Sequence, residues 1–168
     1  TTHIQCDRSE KVKLIKGSHI IVPRLYPQEQ AYLLQNKNSD IVFTIPYENE
    51  FTLIGTTNVH LNHIEDTPKI TQYEQEYLID TINHYFKKKI DATCIVSSFS
   101  GIRALYNPDN EDPAKMSRDF HLTISNDNGA PLISILGGKI TTHRKLAEDA
   151  VALLKPFFPQ IKAAWTAN

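Results

Sequence analysis

Apolar and polar positions alternate with period two along most of the chain and change to a helical period in two places. Val12-Lys13-Leu14-Ile15-Lys16 alternates imperfectly and Gly17-Ser18 interrupts it. His19-Ile20-Ile21-Val22 then resumes until Pro23, which predicts a strand with a glycine kink beside His19. Two strand-like runs, residues 31–35 and 41–46, flank the polar, turn-forming stretch 36–40 and predict a hairpin. Residues 51–57 follow a short Glu48-Asn49-Glu50 turn and predict a further antiparallel strand. From Thr71 the period lengthens, with Tyr73, Tyr77, Leu78, Ile82, Tyr85 and Phe86 spaced three to five apart. Thr71 stands at the N-cap and Glu74 three residues on, the pattern of a capping box. Residues 94–100 and 120–124 predict two more strands, separated by a polar, irregular segment, 104–116, and followed by a turn at 126–129.

The last patterned stretch is strand, glycine turn and helix start. Leu132-Ile133-Ser134-Ile135-Leu136 leads through Gly137-Gly138-Lys139 into a helix over about 142–154, with Leu146, Ala150, Leu153 and Leu154 on its apolar face and Thr141 or Thr142 at the N-cap. The leading amides of a helix have no intrahelical partner and carry positive character, so such a junction is suited to an anion, and Lys139 adds a full charge there. An ordinary βα turn would show the same glycines. The order of elements predicts an α+β fold: a mainly antiparallel sheet with one mid-chain helix, plus the closing strand-turn-helix. The chain divides on this reading into a loose lead-in over 1–11, a sheet region with the helix over 12–98, and the later strands and closing helix over 99–168.

Composition narrows the function classes. The 168 residues carry a formal net charge of −1, which fits one domain and argues against general binding to a nucleic acid. Cys6 and Cys94 form no C-x-x-C pair, so reduced thiols are expected. No apolar run is long enough to span a bilayer and the first residues do not resemble a signal peptide, so a cytoplasmic setting is expected. His60 and His63 have metal-like spacing, but no second ligand cluster accompanies them and no metal is assigned.

Arg8, Arg24, Arg103, Arg118 and Arg144 are the only arginines, and two hold telling places. Arg103 follows Ser100-Gly101-Ile102 just past a strand, and Arg118 precedes the next strand in Ser117-Arg118-Asp119. A guanidinium at a strand end suits bidentate binding of phosphate or carboxylate, although a surface ion pair is the commoner use of any single arginine. His19, beside the kink, has the chemistry of a general base, and a hydrogen-bonded core histidine is the plain alternative.

Five blocks in register resemble the FAD-dependent, respiratory-type glycerol-3-phosphate dehydrogenases: Lys16-Gly17-Ser18-His19, Ile54-Gly55-Thr56-Thr57, Ser100-Gly101-Ile102-Arg103, Ser117-Arg118-Asp119, and the run from Gly137 through His143 to Glu148. The likeness covers about 12–165, including Ala164-Trp165-Thr166. It implies oxidation of glycerol 3-phosphate to dihydroxyacetone phosphate, with hydride passing to FAD and electrons passing to quinone at the membrane, where the parent enzyme would associate peripherally. On matching positions, the resemblance assigns His19, Arg103, Arg118 and Lys139 to the substrate site, with His19 as base. It places Gly101, Gly138, Lys139, Ile140 and Thr141 along the flavin ring.

The chain departs from that family in lacking a strand followed by G-x-G-x-x-G to hold the ADP half of FAD; it has only six glycines, none so arranged. The expectation is therefore a central piece of the enzyme, inactive alone, with cut strand edges that invite a homodimer. Within it, Arg103, Arg118 and Lys139 should lie at the ends of neighbouring strands and converge with His19. Two other readings stand beside this one: a piece of another glycine-oxidase-like flavoprotein acting on an amino or hydroxy acid, and a non-catalytic anion-binding module.

Overall fold

The computed structural model describes residues 12–36, 40–107, 118–125 and 130–167. The lead-in, the middle of the 36–40 link, most of the segment 104–116 and the turn at 126–129 lie outside the described residues. The architecture is α+β, with mostly antiparallel strands and two helices. Two compact units divide it: Leu14–Arg103, and Ala104–Asn168 together with the chain's opening through Lys13.

The first unit is built on β1 (Val12–Pro23), a single strand that runs through the predicted kink. β2 (Tyr32–Gln35) and β3 (Ile41–Tyr47) form the expected hairpin, and β4 (Phe51–Gly55) pairs antiparallel with both β3 and β1. A short β5 (Val59–Leu61), which the alternation did not signal, continues along β1. The sheet runs β2-β3-β4-β1-β5, and β6 (Ser97–Tyr106) also pairs with β1.

The glycine interruption is a step in register. Lys16 lies opposite Val59 and His19 opposite Gly55, so Gly17 and Ser18 on β1 face three residues, Thr56, Thr57 and Asn58, on the partner. Such a one-residue excess is a bulge, and it re-aims side chains on the bulged strand. The bulge is held by Ser18 N donating to Thr57 Oγ1 at 3.0 Å and Thr57 N donating to Ser18 O at 3.3 Å.

One face of this sheet carries Ile20, Val22, Leu34, Val42 and Ile54, which pack with Leu78, Ile79 and Ile82 of helix α1 (Gln72–Tyr85) into the buried core. Strand residues two apart share a face, and the helix contributes residues three and four apart, so both patterns meet in one layer. The opposite face leaves Leu33, Ile41, Phe43, Ile45, Tyr47 and Phe99 exposed.

The capping box at Thr71 and Glu74 is present in full, and Glu74 does more than cap. It is 2 % exposed. Its Oε2 accepts from Thr71 N at 2.9 Å and Thr71 Oγ1 at 3.0 Å and pairs with Lys16 Nζ at 3.2 Å. Its Oε1 accepts from Thr57 Oγ1 at 2.6 Å and Ser18 Oγ at 2.7 Å. Burial pushes the carboxyl up, but the hydrogen bonds from Thr57, Thr71 and Ser18 outweigh it and hold the pKa down to about 2.

Two boundaries differ from the alternation. A 3-10 turn at Ala92–Cys94 replaces the expected start of a strand, because the Asp91 side chain accepts from Thr93 N at 2.8 Å and folds the backbone locally. β6 then extends to Tyr106, so Arg103 lies within a strand rather than beyond one. Alternation does not reveal this, since Gly101 and Ala104 interrupt the apolar pattern of the strand.

In the second unit, β7 (Phe120–Ser125) and β8 (Leu132–Gly137) form a two-stranded antiparallel sheet. Among the described residues β6 pairs with β1, while β7 and β8 pair with each other. A 3-10 turn at Ile140–Thr142 leads into α2 (His143–Leu154), whose apolar side, Leu146, Ala150, Leu153 and Leu154, is half-buried. Among the described residues no helix is long and apolar enough to cross a membrane.

Glu74 makes acid stability testable. Its folded pKa lies below the ordinary 4.5, so its contribution is fully present above about pH 4.5 and is lost as pH falls toward about 2. Urea titrations across that window should lose on the order of 3 kcal/mol. Glu74→Gln should be less stable at neutral pH and should flatten that part of the profile; an unchanged acid limb would show that other carboxylates set it.

Candidate active site

On the sheet face turned away from α1, His19 and Arg103 each lie over a glycine. His19 is in register with Gly55, which is itself opposite Phe43. A Cβ added to Gly55 would stand 2.2 Å from Cδ2 of His19, so the imidazole rests directly on the glycine backbone. Phe99 of β6 covers the imidazole, its ring stacked at 4.9 Å and 8°. A Cβ on Gly17 would stand 2.4 Å from Nη2 of Arg103 and 2.6 Å from Thr56 Oγ1. The guanidinium lies in that gap and donates through Nη2 to Asn58 Oδ1 at 3.3 Å, Thr57 O at 3.4 Å and Thr56 Oγ1 at 3.5 Å.

Burial first, and the Arg103 charge second, push the His19 imidazole below its ordinary pKa of 6.5. It is therefore neutral at physiological pH and able to take a proton. Among the described residues its Nδ1 is buried without a hydrogen-bond partner, a condition that a bound hydroxyl would relieve. The structure thus joins two of the residues singled out from the sequence, and it adds Gly17, Gly55, Thr56, Asn58 and Phe99. Gly17, Gly55 and Thr56 stood in the recognised blocks without a role; Phe99 and Asn58 carried no signal that alternation or spacing reveals.

The other candidates belong to the second unit. Arg118 is exposed just before β7, and Lys139 lies 4.0 Å from Asp119 across a solvent-exposed pair. Gly137 and Gly138 hold φ of 69° and 92°, the left-handed region that glycine enters freely. A Cβ on Gly138 would press on Phe120 at 3.2 Å. Thr142 does occupy the N-cap of α2, but its hydroxyl donates to Lys139 O at 3.0 Å, and neither it nor Lys139 caps with its side chain. The leading amides of this turn and helix are thus without a side-chain acceptor from the capping residues, while Ile140 and Thr141 are exposed. Within the turn Thr142 N donates to Lys139 O at 3.0 Å and His143 N donates to Ile140 O. Gly101, on β6, offers a bare stretch of backbone, since a Cβ there would meet nothing within 4 Å.

Comparison with known proteins decides the family. The profile described as FAD dependent oxidoreductase matches residues 3–144. The chain belongs to the FAD-dependent oxidoreductase family. This flavoprotein chain is 45% identical to the glycerol-3-phosphate dehydrogenase of Pseudomonas tolaasii over 98% of its own length and 32% of the relative's. It is 46% identical to the aerobic glycerol-3-phosphate dehydrogenase of Escherichia coli K12 over 92% of its length and 31% of the relative's. It is also 40% identical to the D-erythritol 1-phosphate dehydrogenase of Brucella abortus, over 94% of its length and 32% of that protein. The crystal structure of the Bacillus halodurans glycerol-3-phosphate dehydrogenase complexed with FAD superposes with a TM-score of 0.77 at 29% identity, covering 95% of the chain and 30% of that structure. The chain spans about a third of the length of the relatives it matches.

The glycine bed under His19 yields a direct test. Gly55→Ala should drive the imidazole toward water, raise its pKa toward 6.5 and cost about 1–3 kcal/mol of stability. The His19 Cε1 proton, followed by NMR against pH, reads the shift, and Gly101→Ala should leave that titration unchanged. A Gly55→Ala protein with an unaltered His19 titration would remove the glycine bed as the cause of the depressed pKa.

Proposed function

We propose that this chain is the substrate-facing part of a flavoenzyme that oxidises glycerol 3-phosphate to dihydroxyacetone phosphate. The observation that carries the reading is the 45% identity to a glycerol-3-phosphate dehydrogenase, extending over 98% of the chain. The neutral imidazole and the guanidinium on adjacent glycine beds support it, because they supply what oxidation of a phosphorylated secondary alcohol requires. His19 accepts the proton of the C2 hydroxyl as the C2–H bond breaks and the carbonyl forms. When bound, FAD accepts the hydride from that carbon. Arg103, Arg118 and Lys139 furnish the positive charge that meets the phosphate and the oxygen being oxidised. Gly101, Gly138, Lys139, Ile140 and Thr141 would hold the flavin ring, where the helix start and Lys139 would favour negative charge. In the parent enzyme, electrons continue to a quinone, the protein associates peripherally with the inner face of the membrane from the cytoplasmic side, and two copies associate. The quinone and membrane assignments follow from the resemblance to the respiratory-type enzymes, and the association of two copies from open strand edges.

A four-carbon polyol phosphate is the second reading, favoured by the 40% identity to the D-erythritol 1-phosphate dehydrogenase. The full-length flavin-loaded protein, assayed with an artificial electron acceptor on glycerol 3-phosphate, D-erythritol 1-phosphate, glycine and lactate, separates the two. Preference for glycerol 3-phosphate is expected. Equal use of glycine or lactate would overturn the phosphate assignment.

Within that enzyme, Arg103→Lys or Arg118→Lys should lower kcat/KM for the phosphorylated substrate by about tenfold or more, since lysine keeps the charge but loses the planar fork. Unchanged kinetics in both would remove the arginines from the site. His19→Asn should lower kcat more than it raises KM, because it abolishes proton acceptance while keeping a polar side chain. A rise in KM alone would make His19 a binding residue.

A further inference from the structure

The buried carboxylate behind the sheet points directly at the strands that carry His19 and Arg103. Each hydroxyl residue tied to Glu74 Oε1 is a chain neighbour of a residue on the opposite face. Ser18 lies between Gly17 and His19, and Thr57 follows Thr56, the contact of Arg103. Ser18 Oγ also meets Ser100 Oγ at 2.8 Å, and Ser100 lies between Phe99 and Gly101 on β6. Adjacent residues in a strand point to opposite faces, so fixing Ser18 and Ser100 on the core side fixes the backbone that aims their neighbours outward, and Thr57, in the link between β4 and β5, holds Thr56 beside Arg103. The pull is applied at the register step, where the β1–β4 pairing ends and the β1–β5 pairing begins.

We propose that Glu74 is a positioning residue for His19 and Arg103: its carboxylate fastens β1 to the residues between β4 and β5 and, through Ser18, to β6, and so sets the two glycine beds on which the imidazole and guanidinium lie. The assignment rests on the reading of His19 as base and Arg103 as substrate cation. Around the carboxylate stand Lys16, Ser18, Thr57 and Thr71, and around the imidazole stand Arg103, Phe99 and Gly55. Loosening the first group changes the burial of the second. A carboxamide cannot replace the carboxylate in both directions, because its NH2 must face either Lys16 and the Thr71 amide or the two hydroxyl donors.

The experiment uses the full-length flavin-loaded protein and the variants Glu74→Gln, Ser18→Ala, Thr57→Val and Thr71→Ala. Two quantities are followed against pH: kcat/KM, and the rate at which diethyl pyrocarbonate modifies His19, read by peptide mass spectrometry. Positioning predicts that Glu74→Gln, Ser18→Ala and Thr57→Val move the acid limb of both curves upward by about half a unit or more, as the imidazole regains water. Thr71→Ala, which removes the cap hydroxyl but not the ties to β1 or Thr57, should lower the melting temperature and leave both limbs in place. A purely structural role would lower plateaus in proportion to the folded fraction with no shift of either limb, and that result overturns the proposal. Should Glu74→Gln fail to fold, Ser18→Ala and Thr57→Val decide by the same criterion. His19→Asn separates this failure from that of the underlying reading. If the acid limb of kcat/KM survives in His19→Asn, the base assignment falls; if it disappears there but stays fixed in the Ser18 and Thr57 variants, only the positioning role falls.

Discussion

A carboxylate taken out of water must be surrounded by donors or it will not remain charged, and Glu74 meets that condition with groups drawn from separate parts of the first unit. Its own helix supplies the Thr71 cap, β1 supplies Lys16 and Ser18, and the step between β4 and β5 supplies Thr57. Removing any one donor leaves a buried charge less well matched, so helix, central strand and bulge are specified together. Apolar packing of Ile20, Ile54, Leu78 and Ile82 provides the bulk of the burial, but it tolerates sliding. Directed bonds to one carboxylate do not.

The other side of the sheet shows what that fixation permits. Two cationic or potentially cationic groups lie side by side there: Arg103 leans on Thr56, Thr57 and Asn58, and His19 lies between Gly55 and Phe99. The positive guanidinium discourages protonation of the imidazole, which keeps a base beside a cation at neutral pH.

Much of the first unit was legible in the sequence because its signals are local. The β2–β3 hairpin, β4 and α1 with its capping box announce themselves through alternation, turn residues and helical spacing. What stayed hidden depends on partners distant in the chain. β5 is three residues long, too short for a period to show, and exists because β1 offers it an edge. The pairing of β6 with β1 likewise joins strands distant in the chain. The candidates His19, Arg103, Arg118 and Lys139 came into view through recognised blocks, whereas the further hydrogen bonds of Glu74 are invisible in a motif that already explains it as a cap. Phe99 carried no spacing signal, since its function is to lie on a ring eighty residues away.

That separation has a kinetic consequence. The β2–β3 and β3–β4 pairings and helix α1 join residues close in sequence, and such contacts close quickly. The Ser18–Ser100 contact spans 82 residues, and the His19–Phe99 stack is about as long-range. Closing so large a loop has an entropic cost that is met only after the intervening elements have condensed. The imidazole therefore receives its aromatic cover and its guanidinium neighbour at the end of assembly, when β6 docks on β1. A partly folded chain would possess the hairpins and the helix and yet leave the imidazole uncovered, so the paired setting of His19 and Arg103 arises only in molecules that have completed the sheet.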